Sequence, residues 1–324
     1  MRRRSFVLST TAAALVPCIG RAQAPGWPTR PVRVLIGYPP GGSTDVAGRL
    51  LAEQLGRRLG QQVVVENRAG AGGTVAAGMA VRAEPDGYTL LLAASPEVSI
   101  APVTVKAMPY DPLKDLVPIT LVGQVPFFLV VHPSLQVNTL AEFIAHARGN
   151  AGKLNYSSFG NNTSNHLAGE LFKSLTGTTS VHVPYKGSGP SMVDLIGGQV
   201  QYSFDTPPAV LEHVRGGKLR ALAVASPQRL GTAPNVPTFA EAGLPAFTGG
   251  TWFGLLAPAR TPRAIVERIN TEAVALLRSP ELSKAFADRG IVASPQTPEE
   301  FGQFLQSEVA KWKDLAVKVG IVAE

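Results

Sequence analysis

A β-rich run, a glycine-rich turn and a helix follow one another repeatedly along this chain, and this order constrains its fold most strongly. The run at residues 31–38 stops at the Pro-Pro-Gly-Gly turn 39–42. Apolar residues then recur at helical spacing between Val46 and Leu59, with charged residues on the other face. A second β-rich run, residues 63–66, follows directly. Strands separated by helices predict an α/β fold with a parallel sheet.

The same order continues through the middle of the chain, and two amphipathic helices close it. We predict strands at residues 88–94, 127–132, 155–158, 181–184, 200–204 and 219–225, and helices at 74–83, 139–147, 165–175, 190–196, 263–278 and 298–318. Pro262 and Pro298 stand near the first turn of the last two helices, where proline is tolerated.

Two uncharged β-rich passages, residues 116–131 and 219–225, bracket the middle third of the chain. If both cross between domains, one domain is built from the two ends of the chain and the other from its middle. We therefore expect a first lobe of residues 25–124 plus 226–324, a second lobe of residues 125–225, and a ligand cleft between them. The length of 324 residues agrees with two domains.

The first 24 residues have the layout of an export signal peptide. Three arginines at residues 2–4 precede an uncharged stretch at 6–20, and small residues follow at 22–24. Both the Sec and the twin-arginine routes fit, with cleavage expected near Ala22 or Ala24. Removing this segment, which holds four arginines and no acid, lowers the net charge from +7 to +3. So small an excess of positive charge argues against nucleic-acid binding. The export signal leads us to expect the protein in the periplasm.

Two turns rich in glycine and polar residues open helices in the two halves of the chain. Residues 38–45 read Tyr-Pro-Pro-Gly-Gly-Ser-Thr-Asp, and Ser43, Thr44 and Asp45 are candidates for the helix N-cap. The glycines permit close approach to a ligand, and the helix start offers free N–H groups to an anion. Residues 156–166 form a similar polar turn. Facing each other across a cleft, the two turns would hold a carboxylate or dicarboxylate from both sides, although each alone is also an ordinary capped turn.

Two further features lie close to predicted strands. Lys186, in the Val-Pro-Tyr-Lys-Gly-Ser-Gly-Pro segment 183–190, supplies charge, and Gly187 allows close backbone approach, although a solvated turn is the more ordinary interpretation. Asp205 follows the strand 200–204 at the usual edge of a ligand crevice. It either accepts a hydrogen bond from a ligand or caps the next turn.

The sequence contains no convincing enzyme motif. Gly70-Ala-Gly72-Gly-Thr-Val75 begins like a dinucleotide-binding fingerprint, but Val75 replaces the third glycine. No Gly-x-Ser-x-Gly elbow occurs, the one cysteine lies in the signal segment, and the five histidines lack metal-ligand spacing. We therefore predict neither catalysis nor a cofactor or metal.

Ten short motifs, in order over about 230 residues, resemble one known family. They lie at residues 28–34, 38–45, 66–73, 85–90, 166–172, 183–187, 194–199, 222–225, 236–243 and 252–258. Each is weak alone, but the ordered set is specific. The chain is similar to substrate-binding proteins of the tripartite tricarboxylate transporter type, the Bug-type family of periplasmic receptors.

This resemblance implies a type II periplasmic binding protein fold, in which two α/β lobes joined by crossover strands close like a Venus flytrap on a small carboxylate. It also implies ligand-binding residues at Pro40, Gly41, Gly42, Ser43, Thr44, Asp45, Gly72, Gly73, Ser95, Ser157, Ser158, Gly160, Thr163, Lys186 and Asp205. Glu97, if it faces the cleft, disfavours a second carboxylate. The implied ligands are di- and tricarboxylates, aromatic acids and amino acids. The implied partners are the membrane permease subunits of a tripartite tricarboxylate transporter or a sensor kinase, and we expect a monomer that binds no nucleic acid.

Two other functions stay open at this point. An exported α/β enzyme acting on a carboxylate or ester would consume its ligand, whereas a receptor would not. A receptor that reports to a sensor kinase would share the same fold and differ only in its partner.

Overall fold

The structure, a computed structural model, describes residues 26–319 and Ala323, so the predicted signal segment lies outside the described residues. The strands are β1 (Val32–Ile36), β2 (Val63–Asn67), β3 (Thr89–Ala94), β4 (Leu116–Pro126), β5 (Phe128–Val131), β6 (Asn155–Ser158), β7 (Val181–Pro184), β8 (Tyr202–Asp205), β9 (Arg220–Val224), β10 (Gly250–Pro258) and β11 (Val292–Ala293). The helices are α1 (Ser43–Leu59), α2 (Thr74–Val81), α3 (Ala101–Thr104), α4 (Pro112–Asp115), α5 (Leu140–Gly149), α6 (Ser164–Thr176), α7 (Ser188–Ile196), α8 (Pro207–Arg215), α9 (Arg263–Leu277), α10 (Pro280–Ala287) and α11 (Pro298–Val319).

The strands form two mixed sheets, one in each lobe. The first sheet has the order β11-β4-β10-β3-β1-β2, and the second has the order β7-β6-β8-β5-β9. Pairing is parallel where a helix connects the strands, as between β1 and β2 and between β6 and β7, and antiparallel around β10 and β5. The prediction of a purely parallel sheet is therefore wrong, because the strands that connect the lobes run against their neighbours.

The first of the two β-rich passages connects the two sheets, whereas the second belongs to one sheet only. The chain leaves the first sheet through β4 and enters the second through β5, with Phe127 between them. The passage 219–225 does not cross, because it forms β9 at the edge of the second sheet, and the chain returns through β10. Phe239 and Phe247 still pack in the core of the second lobe, and the Phe127 N–H donates to the Gly249 carbonyl at 3.2 Å. The lobe boundaries stay a prediction, and these contacts favour placing the second one near Gly249.

Each sheet is covered by helices on both faces, which explains its apolar strands. In the first lobe α1, α9 and α10 pack on one face, while α2 and α11 pack on the other. In the second lobe the two layers are α5 with α6 and α7 with α8. All six residues of β3 are buried, as predicted for a strand covered on both sides.

Prolines mark helix starts that the sequence analysis did not identify. Pro207 opens α8 and Pro280 opens α10. Proline is tolerated there because a first-turn N–H has no partner within the helix. Among the described residues, no helix is sufficiently long and apolar to cross a bilayer.

Replacing Phe204 by alanine tests the packing of the second lobe. The Phe204 ring is fully buried, with ring centroids of Phe247 at 5.0 Å and Phe172 at 5.5 Å. We expect Phe204→Ala to lower the free energy of unfolding by about 3–5 kcal/mol through the cavity it leaves. Urea denaturation measures this loss. The control Val193→Ala, at a side chain 69% exposed, should change stability by less than about 0.5 kcal/mol, and equal losses in both variants would contradict the assignment of this core.

Candidate functional site

The cleft between the lobes contains two adjoining chambers. The inner chamber has about 480 Å³ of empty space, part of it open to solvent. It is lined by Tyr38, Pro39, Gly42, Ser43, Thr44, Ala94, Pro96 and Thr251 from the first lobe, and by Phe159, Thr163, Ser164, Ser188 and Gly189 from the second. The outer chamber has about 760 Å³ and is lined by residues 37–39, 69–73, 159–161 and 184–187. Tyr38, Pro39 and Phe159 are shared, so the two spaces form one cleft.

Three helix N-termini meet at the inner chamber. Its wall contains the start of α1 at Ser43, of α6 at Ser164 and of α7 at Ser188. None of these helices has a side-chain hydrogen bond at its N-cap. A helix start that lacks a side-chain cap directs N–H donors and the positive end of the helix dipole outward. Three such ends around an enclosed space favour an anion there.

The sequence analysis placed the start of α1 one to three residues too late. Ser43, Thr44 and Asp45 are not N-caps, because Gly42 has the extended cap conformation and its carbonyl accepts the Val46 N–H at 2.9 Å. Ser43 and Thr44 are instead in the first turn and line the inner chamber. Their hydroxyl groups make no hydrogen bond with the residues that the structure describes, so they are available to a ligand.

Asp45 holds the shape of the first-lobe loop. Its carboxylate accepts hydrogen bonds from the Gly41 N–H, the Arg49 Nε and the Asn67 Nδ2, each at 2.9 Å. Burial alone would raise the pKa of Asp45, but these donors, Arg49 foremost, lower it. Asp45 is thus an ionised residue that lies outside both chambers. Its neighbours Pro40 and Gly41 are exposed and also lie outside them.

A buried carboxyl group lies behind the glycine turn of the outer chamber. Gly72 and Gly73 line this chamber, and a Cβ at Gly73 would lie 2.7 Å from the Glu97 carboxyl group. Glu97 accepts the Ala94 N–H at 2.7 Å, and the Tyr38 hydroxyl lies within hydrogen-bonding distance of both Glu97 and the Gly72 carbonyl. Burial raises the pKa of Glu97 to about 8. Glu97 therefore lies behind the turn and lines neither chamber.

Ser158 and a stacked histidine pair contact the second-lobe loop, residues 159–163, on its side away from the chambers. Ser158 Oγ donates to the Gly160 carbonyl at 2.9 Å and lies 2.6 Å from His182 Nε2. The His182 ring stacks on His166 with a centroid distance of 3.9 Å, and His166 Nδ1 accepts the Asn162 N–H. These contacts fix both ends of the turn that carries Gly160 and Thr163.

The remaining predicted residues divide between the cleft and its support. Gly42, Ser43, Thr44 and Thr163 line the inner chamber, and Gly72, Gly73, Gly160 and Lys186 line the outer one. Ser95 and Ser157 are fully buried, with hydrogen bonds to Thr251 at 3.1 Å and to Ser191 at 2.8 Å. Asp205 is also fully buried; it accepts the Thr206 N–H at 2.7 Å, and burial raises its pKa to about 8. Four predicted residues line neither chamber, namely Ser95, Ser157, Ser158 and Asp205. Their role in ligand binding stays a prediction.

The sequence analysis placed the third helix start two residues late, at residue 190, and did not name Ser188 and Gly189 as candidates. For the segment 183–190 it kept a solvated turn beside a ligand site, although Gly187-Ser188-Gly189-Pro190 has the composition of a helix start with proline in the first turn. The wall residues Thr251, Phe159 and Ser164 were also not named as candidates. They come from different parts of the chain, and only the packing of the lobes brings them together.

The two lobes touch around the chambers. A Cβ at Gly187 of the second lobe would lie 2.8 Å from Pro39 Cδ of the first. A Cβ at Gly72 would approach Thr163 and Asn161 of the second lobe within 4 Å. Such contacts describe a closed arrangement in which the chain of one lobe reaches the other.

Comparison with known proteins places the chain in a family. Residues 47–321 match the model of the tripartite tricarboxylate transporter family receptor. The chain belongs to this receptor family. It is 40% identical to Protein BugT of Bordetella pertussis over 295 residues, which cover 91% of this chain and 90% of BugT. It is also 36% identical to the UPF0065 protein in the tcbD-tcbE intergenic region of Pseudomonas sp. strain P51, over 98% of this chain and 94% of that protein.

Solved structures of similar receptors have the same fold. A periplasmic transporter that is 41% identical superposes with a TM-score of 0.89, over 92% of this chain and 100% of that one. Rhodopseudomonas palustris Rpa4515 with adipate is 34% identical, with a TM-score of 0.90 and the same coverage. MatC from Rhodopseudomonas palustris with bound malate is 32% identical, with a TM-score of 0.84, over 89% of this chain and 99% of MatC. The predicted type II periplasmic binding protein fold is confirmed.

Substitution of Gly187 tests the contact between the lobes. We expect Gly187→Ala to shift the open–closed equilibrium about tenfold toward the open form, because the added methyl group meets Pro39. Small-angle X-ray scattering would report a larger radius of gyration than for the unmodified protein. The matched control is Gly217→Ala, at a glycine that also has positive φ but no atom within 4 Å of its Cβ position. A Gly187 variant as compact as the control would contradict the assigned contact.

Glutamine at residue 97 tests the buried carboxyl group through the pH dependence of stability. The pKa of Glu97 is about 8 in the folded protein, against an ordinary value of 4.5. The protonated Glu97 carboxyl group therefore contributes its full stabilisation below about pH 4.5. Between pH 4.5 and 8 this stabilisation falls by up to about 1.4 kcal/mol per pH unit, and above pH 8 it is lost. We expect Glu97→Gln to flatten this decline in urea denaturation between pH 5 and 9. The exposed Glu84→Gln serves as control, and parallel profiles for all three proteins would disprove the assignment.

Proposed function

We propose that this chain is a periplasmic receptor that closes on a small organic carboxylate in the interlobe cleft, for uptake by a tripartite tricarboxylate transporter. One observation carries the proposal. Three helix N-termini without a side-chain cap meet at the inner chamber, and the described residues that line this chamber have no charged side chain. An anion held there receives backbone N–H groups and hydroxyls as donors. Adipate and malate in two similar receptors agree with a carboxylate.

The ligand contacts within this proposal are the residues that line the chambers. Gly42, Ser43, Thr44 and Thr163, predicted from the sequence, act together with Ser164 and Ser188 on the carboxylate. Gly72, Gly73, Gly160 and Lys186 border the rest of the ligand. The lobes assigned from the sequence, with the second boundary moved close to Gly249, are the two halves that close.

The cellular setting belongs to the same proposal. Residues 1–24 direct export and are removed, and the mature receptor delivers its ligand to the permease subunits without chemical change. The family to which the chain belongs consists of receptors, which supports binding in place of catalysis.

A thermal-shift screen of the mature protein against mono-, di- and tricarboxylates and aromatic acids tests the function. A ligand at one hundred times its dissociation constant adds about 2.7 kcal/mol of stability, which raises the melting temperature by several degrees. The ligand must then be recovered unchanged after incubation. Consumption of an excess of ligand would favour an exported enzyme instead.

Gly42→Val tests whether the inner chamber binds the carboxylate. Gly42 has φ −74° and ψ 167°, which valine adopts readily, and the nearest atom to its Cβ position is 3.8 Å away. We expect the variant to fold with nearly unchanged stability but to lose at least about tenfold in carboxylate affinity, since the side chain occupies chamber space and hinders close approach to the backbone. Calorimetric titration measures the affinity. Unchanged binding by the folded variant would refute this site.

A further inference from the structure

We propose that His166 is a positioning residue that orders the second-lobe loop for ligand binding. Its neutral ring keeps the loop in the shape that meets the first lobe, and protonation of the ring releases the loop and weakens binding. His166 lines neither chamber, so it acts through the loop. The part of this inference that concerns affinity rests on the proposed function.

The second-lobe loop meets the first lobe through residues that need one particular backbone shape. A Cβ at Gly72 would lie 3.7 Å from the Asn161 carbonyl oxygen and 3.8 Å from Thr163 Cγ2. Asn162, between these two residues, has a φ of +59°, in the left-handed region that residues other than glycine rarely adopt. A change in the backbone of Asn162 therefore displaces the residues that meet Gly72.

His166 holds Asn162 through one hydrogen bond. It is the third residue of α6, and its Nδ1 accepts the Asn162 N–H at 3.1 Å. A backbone N–H only donates, so Nδ1 carries no proton and the hydrogen of the neutral ring is on Nε2. Protonation of Nδ1 would set two donors against each other and remove this bond.

The second ring of the stacked pair keeps its hydrogen bond in acid. Ser158 Oγ donates its one hydrogen to the Gly160 carbonyl, so it accepts from His182 Nε2 at 2.6 Å. A protonated His182 would donate in the same way. Of the two histidines, it is therefore His166 whose contact with the loop depends on the neutral state.

The groups around the stacked rings set the pH range of this effect. Among the described residues, the titratable groups that face His166 and His182 are Glu170 and Lys173 on α6 and Tyr156 on β6. Burial lowers the pKa of His166 from its ordinary value of 6.5, although Glu170 acts in the opposite direction. Lys173 Nζ lies 2.8 Å from both Glu170 carboxylate oxygens and offsets that charge.

The sign of the pH dependence follows from this lowered pKa. Release of the loop exposes the His166 ring and returns its pKa toward 6.5. Protons therefore bind the released loop more tightly than the ordered one. Order in the loop is complete above pH 6.5 and is lost as pH falls from 6.5 through the lowered pKa.

Two variants of equal shape isolate the hydrogen bond. Asparagine places Oδ1 where histidine has Nδ1 and gains no proton, whereas leucine has the same branching and no acceptor. Both variants lose the stacked ring, so only the acceptor distinguishes them. We expect residues 159–166 to exchange their amide hydrogens about tenfold faster in His166→Leu than in His166→Asn, the factor that one lost hydrogen bond gives. Hydrogen exchange with mass spectrometry on the ligand-free mature protein at neutral pH measures this ratio.

Calorimetric titration with malate and with adipate measures the effect on binding. We expect His166→Leu to bind about tenfold more weakly than His166→Asn, because only molecules with an ordered loop bind. From about pH 7.5 to 5, the affinity of the unmodified protein should fall at least about threefold more than that of His166→Asn, a comparison that cancels the titration of the ligand. The control is His146→Leu, at a half-buried histidine of α5 that lines neither chamber, and it should behave like the unmodified protein.

The outcomes separate the two proposals. Equal exchange in the asparagine and leucine variants would overturn this inference. Equal affinities of the two variants, or parallel pH profiles of His166→Asn and the unmodified protein, would also overturn it and leave the receptor intact. If no acid of the wider screen binds, the proposed function fails, and the exchange ratio still decides whether His166 orders the loop. If His166→Leu does not fold, exchange in the unmodified protein and in His166→Asn, compared from about pH 7.5 to 5, decides the same question.

Discussion

The cleft depends on helix starts that have no side-chain cap. A serine, threonine, asparagine or aspartate cap stabilises a helix by about 1 kcal/mol relative to alanine but by only a few tenths relative to glycine, and α1 and α7 place glycine at that position. At α6 the cap residue is Thr163, but its hydroxyl faces the Gly160 carbonyl and the Asn165 side chain. The N–H groups that a cap would satisfy are left for a ligand. Glycine caps therefore leave donors free at little cost in helix stability.

Supporting contacts hold the loops before α1 and α6 and the glycine turn of the outer chamber. Asp45 ties the first loop to Arg49 and Asn67, and Glu97 stands behind the second. On the other lobe the stacked pair of His166 and His182 fixes the third. Buried and half-buried groups with hydrogen bonds thus hold each loop, while the described residues that line the inner chamber carry no charged side chain.

The sequence could predict the local features of this architecture but not the long-range ones. The alternation of strands and glycine turns indicates two α/β lobes, and the turn before α1 indicates an anion site, because both follow from neighbouring residues. The direction of Glu97 depends on Tyr38, which is 59 residues away. The role of β9 as an edge strand, with β10 as the return crossover, likewise depends on pairing between distant segments. Apolar composition alone does not distinguish these cases, and the neighbours of a charged residue in the sequence do not determine whether its side chain faces a predicted cleft.

The proposed binding of the ligand through main-chain N–H groups has an evolutionary consequence. Point mutations replace side chains and leave N–H groups in place, so the anion-holding part of the cleft survives most substitutions at its wall. Exchanges at wall positions such as Phe159 or Thr251 alter the room beside the anchored group without removing the anchor. Duplicated copies of such a gene can therefore acquire new ligands in single steps while each intermediate still binds an acid.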